Sequence, residues 1–418
     1  MLIKMEVESS YTGKLQVNVV TRENVPVRDA TVTIAASDSP NNIIERLTTN
    51  SSGQTEIVDL PAPPLELSLN EANTTRPYTT YNIRIEALGY ETEFIENAEI
   101  LPDVLAIQNV RLTSKNASLT EDIMIPDHTL YGEYPPKVPE EEIKPVNEPG
   151  EIVLSRVVVP EIIVVHDGVP SNNSAQNYYV NYRDYIKNVA SSEIYATWPT
   201  ATIEANVLAI MSFTLNRVYT EWYRNKGYDF TITSSTAYDQ KWIYGRNIFE
   251  SISLVVDNIF DQYLSRPDVR QPILTQYCDG KRVTCPNWLS QWGSCNLGER
   301  GYSTIEIIRY YYGDDMYINT AEQIAGIPIS WPGYDLDIGA SGQKVAQIQE
   351  QLDTIAQVYT AIPRLNADGI YGEVTREAVK AFQKIFDLPQ SGIVDFATWY
   401  KISQIYVGIT RIAEGIPR

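Results

Sequence analysis

Residues 186–219, IKNVASSEIYATWPTATIEANVLAIMSFTLNRVY, constrain this chain more than any other stretch. Ile203, Val207, Ile210, Met211, Thr214, Leu215 and Val218 recur at three- and four-residue spacing, which predicts a long helix with one stripe facing a core. Pro199 suits the approach to that helix because its φ is already near the helical value, and Thr200 or Thr202 can cap it. Ahead of it, Glu193 is expected in a polar turn beside Tyr195 and Trp198. A carboxyl among apolar neighbours, lining a groove, holds its proton in the way a general acid requires.

A chain of 418 residues is too long for one ordinary core, so two or three domains are expected. No apolar run is long enough to span a bilayer, and MLIKMEVESSYTGK lacks the apolar core of a secretory leader. The formal net charge of −20 argues against nucleic acid and anionic membrane as partners. The excess is uneven: residues 1–150 hold 11 basic and 24 acidic side chains. Cys278, Cys285 and Cys295 are odd in number, so at least one thiol stays unpaired within a monomer. Small buried residues, or one optional disulfide, is the reading.

Residues 12–113 alternate in short runs, as in Gly13–Val20, Ala30–Ile34 and Tyr81–Ala87, with a hairpin expected around Ser52-Gly53. That regular spacing predicts an all-β sandwich. The order G-x-L-x-V-x-V, V-P-V-x-x-A-x-V and G-Y resembles the carboxypeptidase-regulatory, prealbumin-like sandwich. Residues 115–150 mix Pro126, Pro135, Pro136, Pro139, Pro145 and Pro149 with Glu140-Glu141-Glu142, the composition of an extended, accessible linker with His128 solvated. His166, the only histidine after residue 150, ends an apolar β run and has a structural role there. A helix is expected over 247–264 and another over Thr304–Tyr312.

Val189–Ile194, then Trp198-Pro199, then the Ala-rich helix ending Asn216-Arg217-Val218-Tyr219 resemble the core of stage II sporulation protein D. Ser290-Gln291-Trp292-Gly293 and Ile307–Gly313 are similar to the end of the same catalytic domain. The resemblance implies a lytic transglycosylase with Glu193 as its catalytic carboxyl. It implies a pocket shaped by Tyr195, Trp198 and Trp292, with Gln240, Ser290 and Gln291 holding N-acetyl groups or orienting Glu193. The family's cysteine and histidine zinc site is absent from the corresponding SSTAYDQKWIYG, residues 234–245, so no metal or other cofactor is expected. Its histidine-glycine pair before the Ser-Gln element is Pro286-Asn287-Trp288 here.

The last segment reads G-x-x-V-x-x-I-Q-x-x-L, D-G-x-Y-G-x-x-T-x-x-A-V-x-x-F-Q, which resembles a peptidoglycan-binding type 1 domain of three helices. Asp368, Tyr371, Phe382 and Gln383 carry that likeness and are the binding residues it implies. The full order is a β-sandwich pro-domain (1–114), a linker (115–150), an α+β transglycosylase domain (151–333) and a peptidoglycan-binding domain (334–418). It resembles the clostridial spore cortex-lytic enzymes of the SleC type. That likeness implies an extracytoplasmic spore protein acting on cortex peptidoglycan after a germination protease removes the front, with the cut expected between Glu151 and Val159. An additional amidase activity is credited to such enzymes, although the region after 150 offers only His166. A non-catalytic anchoring protein of the cell wall or spore coat is the rival reading.

Overall fold

The computed structural model describes residues 11–115, 123–144, 153–326 and 331–410. The front of the chain forms β1 (Thr12–Thr21), β2 (Thr31–Ala36), β3 (Ile43–Thr48), β4 (Val58–Pro61), β5 (Thr79–Glu86), β6 (Glu93–Ile100) and β7 (Leu105–Leu112). A short helix, α1 (Glu66–Leu69), lies between β4 and β5, and β8 (Ile123–Met124) follows β7. One sheet has the order β4-β1-β7 and is extended by the strand Ile248–Phe249 from the central region. The other has the order β3-β2-β5-β6-β8. Strict alternation explains their inner faces: Leu15, Val17 and Val19 of β1 and Ile83 and Ile85 of β5 are buried.

The hairpin expected at Ser52-Gly53 does not form. β3 pairs with β2, whereas β4 pairs with β1 in the opposite sheet, so residues 49–57 carry the chain between sheets. Gly53 turns there at φ +74°, and a Cβ would stand 2.3 Å from the Val19 carbonyl oxygen.

The central region contains α2 (Tyr182–Glu193), α3 (Thr200–Tyr219), α4 (Glu250–Ile259), α5 (Gln291–Glu299) and α6 (Thr304–Tyr312). The helix expected over 247–264 covers only α4, and Gln262–Ser265 leaves it as a strand paired with Tyr317–Thr320. α3 lacks the capping side chain expected of Thr200 or Thr202, since Pro199 occupies the cap position. Nor is it merely striped: 16 of its 20 residues are buried. Most of its polar groups are therefore satisfied internally. Asn206 donates to Ser294 Oγ at 2.8 Å, Ser212 to the Ile273 carbonyl at 2.9 Å and Arg217 to Asp239 at 2.7 Å.

Residues 123–144 are extended, as their prolines require, but exposed positions such as Tyr131, Val138 and Ile143 alternate with buried ones, so the segment is only partly accessible. His128, Lys137 and Lys144 are buried. The segment lies as a strap across the central region, and several bonds a solvated linker would give to water go to protein instead. Thr129 Oγ1 donates to Ser192 O at 2.5 Å, Val138 N–H to Ala237 O at 2.7 Å and Lys144 N–H to Gln271 Oε1 at 2.7 Å. Burial and the nearby Arg246 charge push His128 well below its usual range. Glu151, at the start of the expected cut, lies outside the described residues. Within that window Ser155 and Arg156 are exposed, whereas Val158–Val159 pairs with Gln323–Ile324.

The C-terminal helices are α7 (Gln343–Ala356), α8 (Glu373–Ile385) and α9 (Phe396–Thr410). Two buried glutamines organise them in the same way. Gln349 Nε2 donates to Asp368, the Ile370 carbonyl and Thr375, while its Oε1 accepts Gly369 N–H at 2.8 Å. Gln383 repeats this with Ser391, the Ile393 carbonyl, Thr398 and Gly392 N–H. All regions are tied together. Arg246 pairs with Glu99 of β6 at 2.9 Å, Arg183 of α2 donates to the Tyr400 carbonyl at 3.0 Å, and Gln54 donates to the Ile385 carbonyl at 2.9 Å.

Candidate active site

Glu193 is the last residue of α2, not part of a polar turn, and it has no exposed surface. Its carboxylate accepts three hydrogen bonds: Lys241 N–H at 2.8 Å, Tyr277 O–H at 3.3 Å and Gln291 Nε2 at 3.2 Å. These donors come from segments 48, 84 and 98 residues away in sequence. Strand Tyr277–Cys278 pairs in parallel with Leu289–Ser290, and α5 begins at the next residue. That one pairing brings both Tyr277 and Gln291 to Glu193.

The other expected site residues divide into four groups. Tyr195, Trp198 and Trp292 form an aromatic cluster with centroids 5.2 to 6.0 Å apart, and Trp198 Nε1 donates to Ser68 O of α1 at 2.9 Å. Ser290 caps α5 by accepting Gly293 N–H at 3.0 Å. Gln240 does not reach Glu193, because Tyr185, Thr214 and the Ile210 carbonyl take up its amide. In the C-terminal region Tyr371, Phe382 and Gln383 are interior residues, so they hold the fold rather than face a ligand; Asp368 is exposed and braces the turn before α8.

Sequence reasoning missed Tyr277. Burial, and then the charge of Glu193, push its hydroxyl well above the usual range, so it stays a proton donor. Local pattern carries no sign of this, because the partner is 84 residues distant.

The open groove expected beside Glu193 is closed in the intact chain, and the strap supplies part of the cover. Lys137 Nζ stands 4.5 Å above the Tyr277 ring and donates to the carbonyls of Thr236 and Asp239 at 3.1 and 2.7 Å. Burial lowers its amine below the ordinary lysine range, and Glu193 is the foremost charge opposing that shift. Tyr134 is buried beside it and is pushed up by burial and then by Glu193. Arg282 latches the strap through the carbonyls of Thr129 and Gly132, and it sits on the loop closed by the Cys278–Cys285 disulfide. Cys295 is buried and free. Further along, Glu140 binds Arg217 with both oxygens, at 2.6 and 3.1 Å.

His166 Nδ1 donates to Asn177 Oδ1 at 2.8 Å, and the ring stacks on Phe230, a structural arrangement. Among the described residues no group of three or more His, Cys, Asp or Glu side chains could hold a metal ion. No helix among them is long and apolar enough to cross a membrane.

Residues 341–402, spanning α7, α8 and part of α9, match the family of putative peptidoglycan binding domains. No curated protein matches the chain. Among solved structures, the chain is similar to the SleB N-terminal domain (26% identity, 18% of this chain and 99% of that one, TM-score 0.17). It is also similar to the Bacillus anthracis TIE protein (14%, 25% and 17%, TM-score 0.18). A third is catechol 1,2-dioxygenase from Acinetobacter sp. ADP1 (12%, 29% and 60%, TM-score 0.19). Likenesses at such TM-scores say nothing further about fold or function. The C-terminal helices are the part of this chain whose family is known, and it is a family of the cell wall.

Proposed function

We propose that the chain is the precursor of a spore cortex-lytic enzyme that cuts peptidoglycan strands by lytic transglycosylation, with Glu193 as its single acid and base. Peptidoglycan as partner is supported by the match over residues 341–402. The observation that carries the catalytic reading is the setting of Glu193, a carboxyl held by Tyr277, Gln291 and a backbone N–H.

In this reaction the protonated carboxyl gives its proton to the oxygen of the β-1,4 bond between N-acetylmuramic acid and N-acetylglucosamine. The C1–O bond breaks and positive charge develops on the muramic ring. The resulting carboxylate takes the proton of the C6 hydroxyl, whose oxygen bonds to C1 and closes a 1,6-anhydro ring. One carboxyl thus acts twice, where hydrolytic glycosidases use two. Tyr277 and Gln291 fix its orientation through both steps. Tyr195, Trp198 and Trp292 form an apolar wall near Gln291 that helps exclude water.

Activation is proteolytic in this reading: the germination protease cuts near the exposed Ser155 and Arg156, and loss of the front and the strap uncovers Glu193. N-terminal sequencing of the active form tests this, and a start outside 151–159 refutes it. For the chemistry, Glu193→Gln in the trimmed chain retains fold and cell-wall binding but releases no anhydro-muropeptides by mass spectrometry. Normal products from that variant end the assignment. Free lactyl ends in the same digest mark an amidase instead.

Complete burial of Glu193 in the intact chain favours one second reading, a non-catalytic peptidoglycan-binding protein of the wall or spore coat. It requires that the trimmed chain bind cortex without any cleavage.

A further inference from the structure

The mechanism uses only one backbone N–H of residues 234–245. Their course joins three places. Tyr238 lines a cavity of about 520 Å³ with Trp222 and Tyr228. Lys241 gives its N–H to Glu193. Trp242 and Tyr244, with Tyr178, line a second cavity of about 320 Å³. Both volumes lie in the range of small-ligand sites. Six residue steps from Tyr238 to Tyr244 cover at most roughly 20 Å, so one short segment reaches both cavities, and its Lys241, which also lines the second, holds Glu193.

The strap touches the same three places. Ile123, Met124 and Pro126 border the second cavity, Lys137 lies above Tyr277 beside Glu193, and Val138, Glu140 and Lys144 border the first. At the first cavity two cations hold the face of Trp222, with Lys144 Nζ at 4.3 Å and Lys226 Nζ at 3.3 Å from the ring centroid. Polar atoms along the track are left over. Gln291 Oε1 beside Glu193 and Trp242 Nε1 at the second cavity are buried and have no partner among the described residues. Aromatic faces suit the C–H faces of sugar rings, and unpaired amide and indole groups suit their hydroxyl and N-acetyl rims. A strand of linked amino sugars offers both.

We propose that the two cavities are the ends of one groove that takes a β-1,4-linked amino-sugar strand across Glu193, and that residues 123–144 are its internal occupant. Trp222, Tyr228 and Tyr238 form the subsite at one end, and Tyr178, Trp242 and Tyr244 the subsite at the other. The position of the cut along the strand rests on the catalytic reading of Glu193; the groove itself does not.

The test uses the full chain carrying Glu193→Gln, so no readout depends on cleavage, with chitohexaose as the probe. Calorimetry reads binding, and amide hydrogen exchange at Val138 and Lys144 reads the strap. Saturating chitohexaose raises exchange at both amides at least tenfold. Lys137→Met with Arg282→Ala removes four strap anchors and tightens binding at least tenfold. In that background Trp222→Ala and Tyr244→Ala each weaken binding at least fivefold, which separates this groove from any site on the C-terminal helices. Binding that leaves strap exchange unchanged, or ignores both aromatic substitutions, overturns the proposal. Should the double variant fail to fold, the exchange measurement with Glu193→Gln alone decides. Groove behaviour as expected, with no anhydro products from the native trimmed chain, discards the role of Glu193 and keeps the groove. Such products, with no effect of the aromatic substitutions, do the reverse.

Discussion

Replacing Glu140 by alanine should release the strap from its strongest polar anchor. Its carboxylate takes two charged hydrogen bonds from Arg217 and one from Lys144 in a nearly buried setting. Stranding one partner of a buried ion pair costs about 3–5 kcal/mol. Arg217 is not stranded, because Asp239 at 2.7 Å and the Tyr238 carbonyl at 3.2 Å remain. The lower figure of about 2–3 kcal/mol for local opening therefore applies, near the value of a single charged hydrogen bond. Whole-chain melting is a poor assay in a multidomain protein. Native-state exchange at Val138 and Lys144 reports the local opening directly, and about 2–3 kcal/mol becomes a roughly 30- to 150-fold rise in rate.

Acidity supplies a second arm of the same test. Burial raises the Glu140 carboxyl, but hydrogen bonds and charge from Arg217, and then Lys144, outweigh it and hold the group below its ordinary value. A depressed folded value means that the anchor is fully present above the ordinary carboxyl pKa, about 4.3. It is lost as pH falls through the folded value. Strap exchange in the parent should accelerate there beyond the intrinsic pH effect, and Glu140→Ala should remove that extra step. Rates within threefold of the parent in Glu140→Ala, with α3 exchange unchanged, would refute the reasoning.

Three further outcomes are expected. Gln383→Leu leaves the Gly392 N–H, the Ile393 carbonyl and Thr398 without their shared partner, and should destabilise the C-terminal unit by about 2–4 kcal/mol; a separate early transition in calorimetry reads this, and an unchanged profile rejects it. Reducing Cys278–Cys285, seven residues apart, should cost about 2 kcal/mol by loop closure and speed exchange within 278–290 while leaving α3 protected, and uniform loosening would contradict it. Glu99→Ala strands the buried Arg246 at the joint between front and central regions, and should cost about 3–5 kcal/mol in denaturation of the intact chain, with Glu99→Gln milder; equal effects of the two would sink this account.

Read alone, the chain disclosed whatever its local periods encode. The alternation of β1 and β5, the long apolar segment that became α3, α6 with its end points and the three C-terminal helices all rest on side-chain spacing within a single element. Proline content likewise foretold an extended 123–144. Pairing across distance was hidden. That β3 and β4 part to opposite sheets, that Tyr277 and Gln291 meet Glu193, and that Gln240 turns inward all depend on residues tens of positions away. The strap shows the physical reason most plainly. Composition reports that such a segment makes no ladder of its own, but only the folded surface offers Ser192, Ala237, Gln271 and Arg217 to take up many of its polar groups and turn a linker into a partly buried cover.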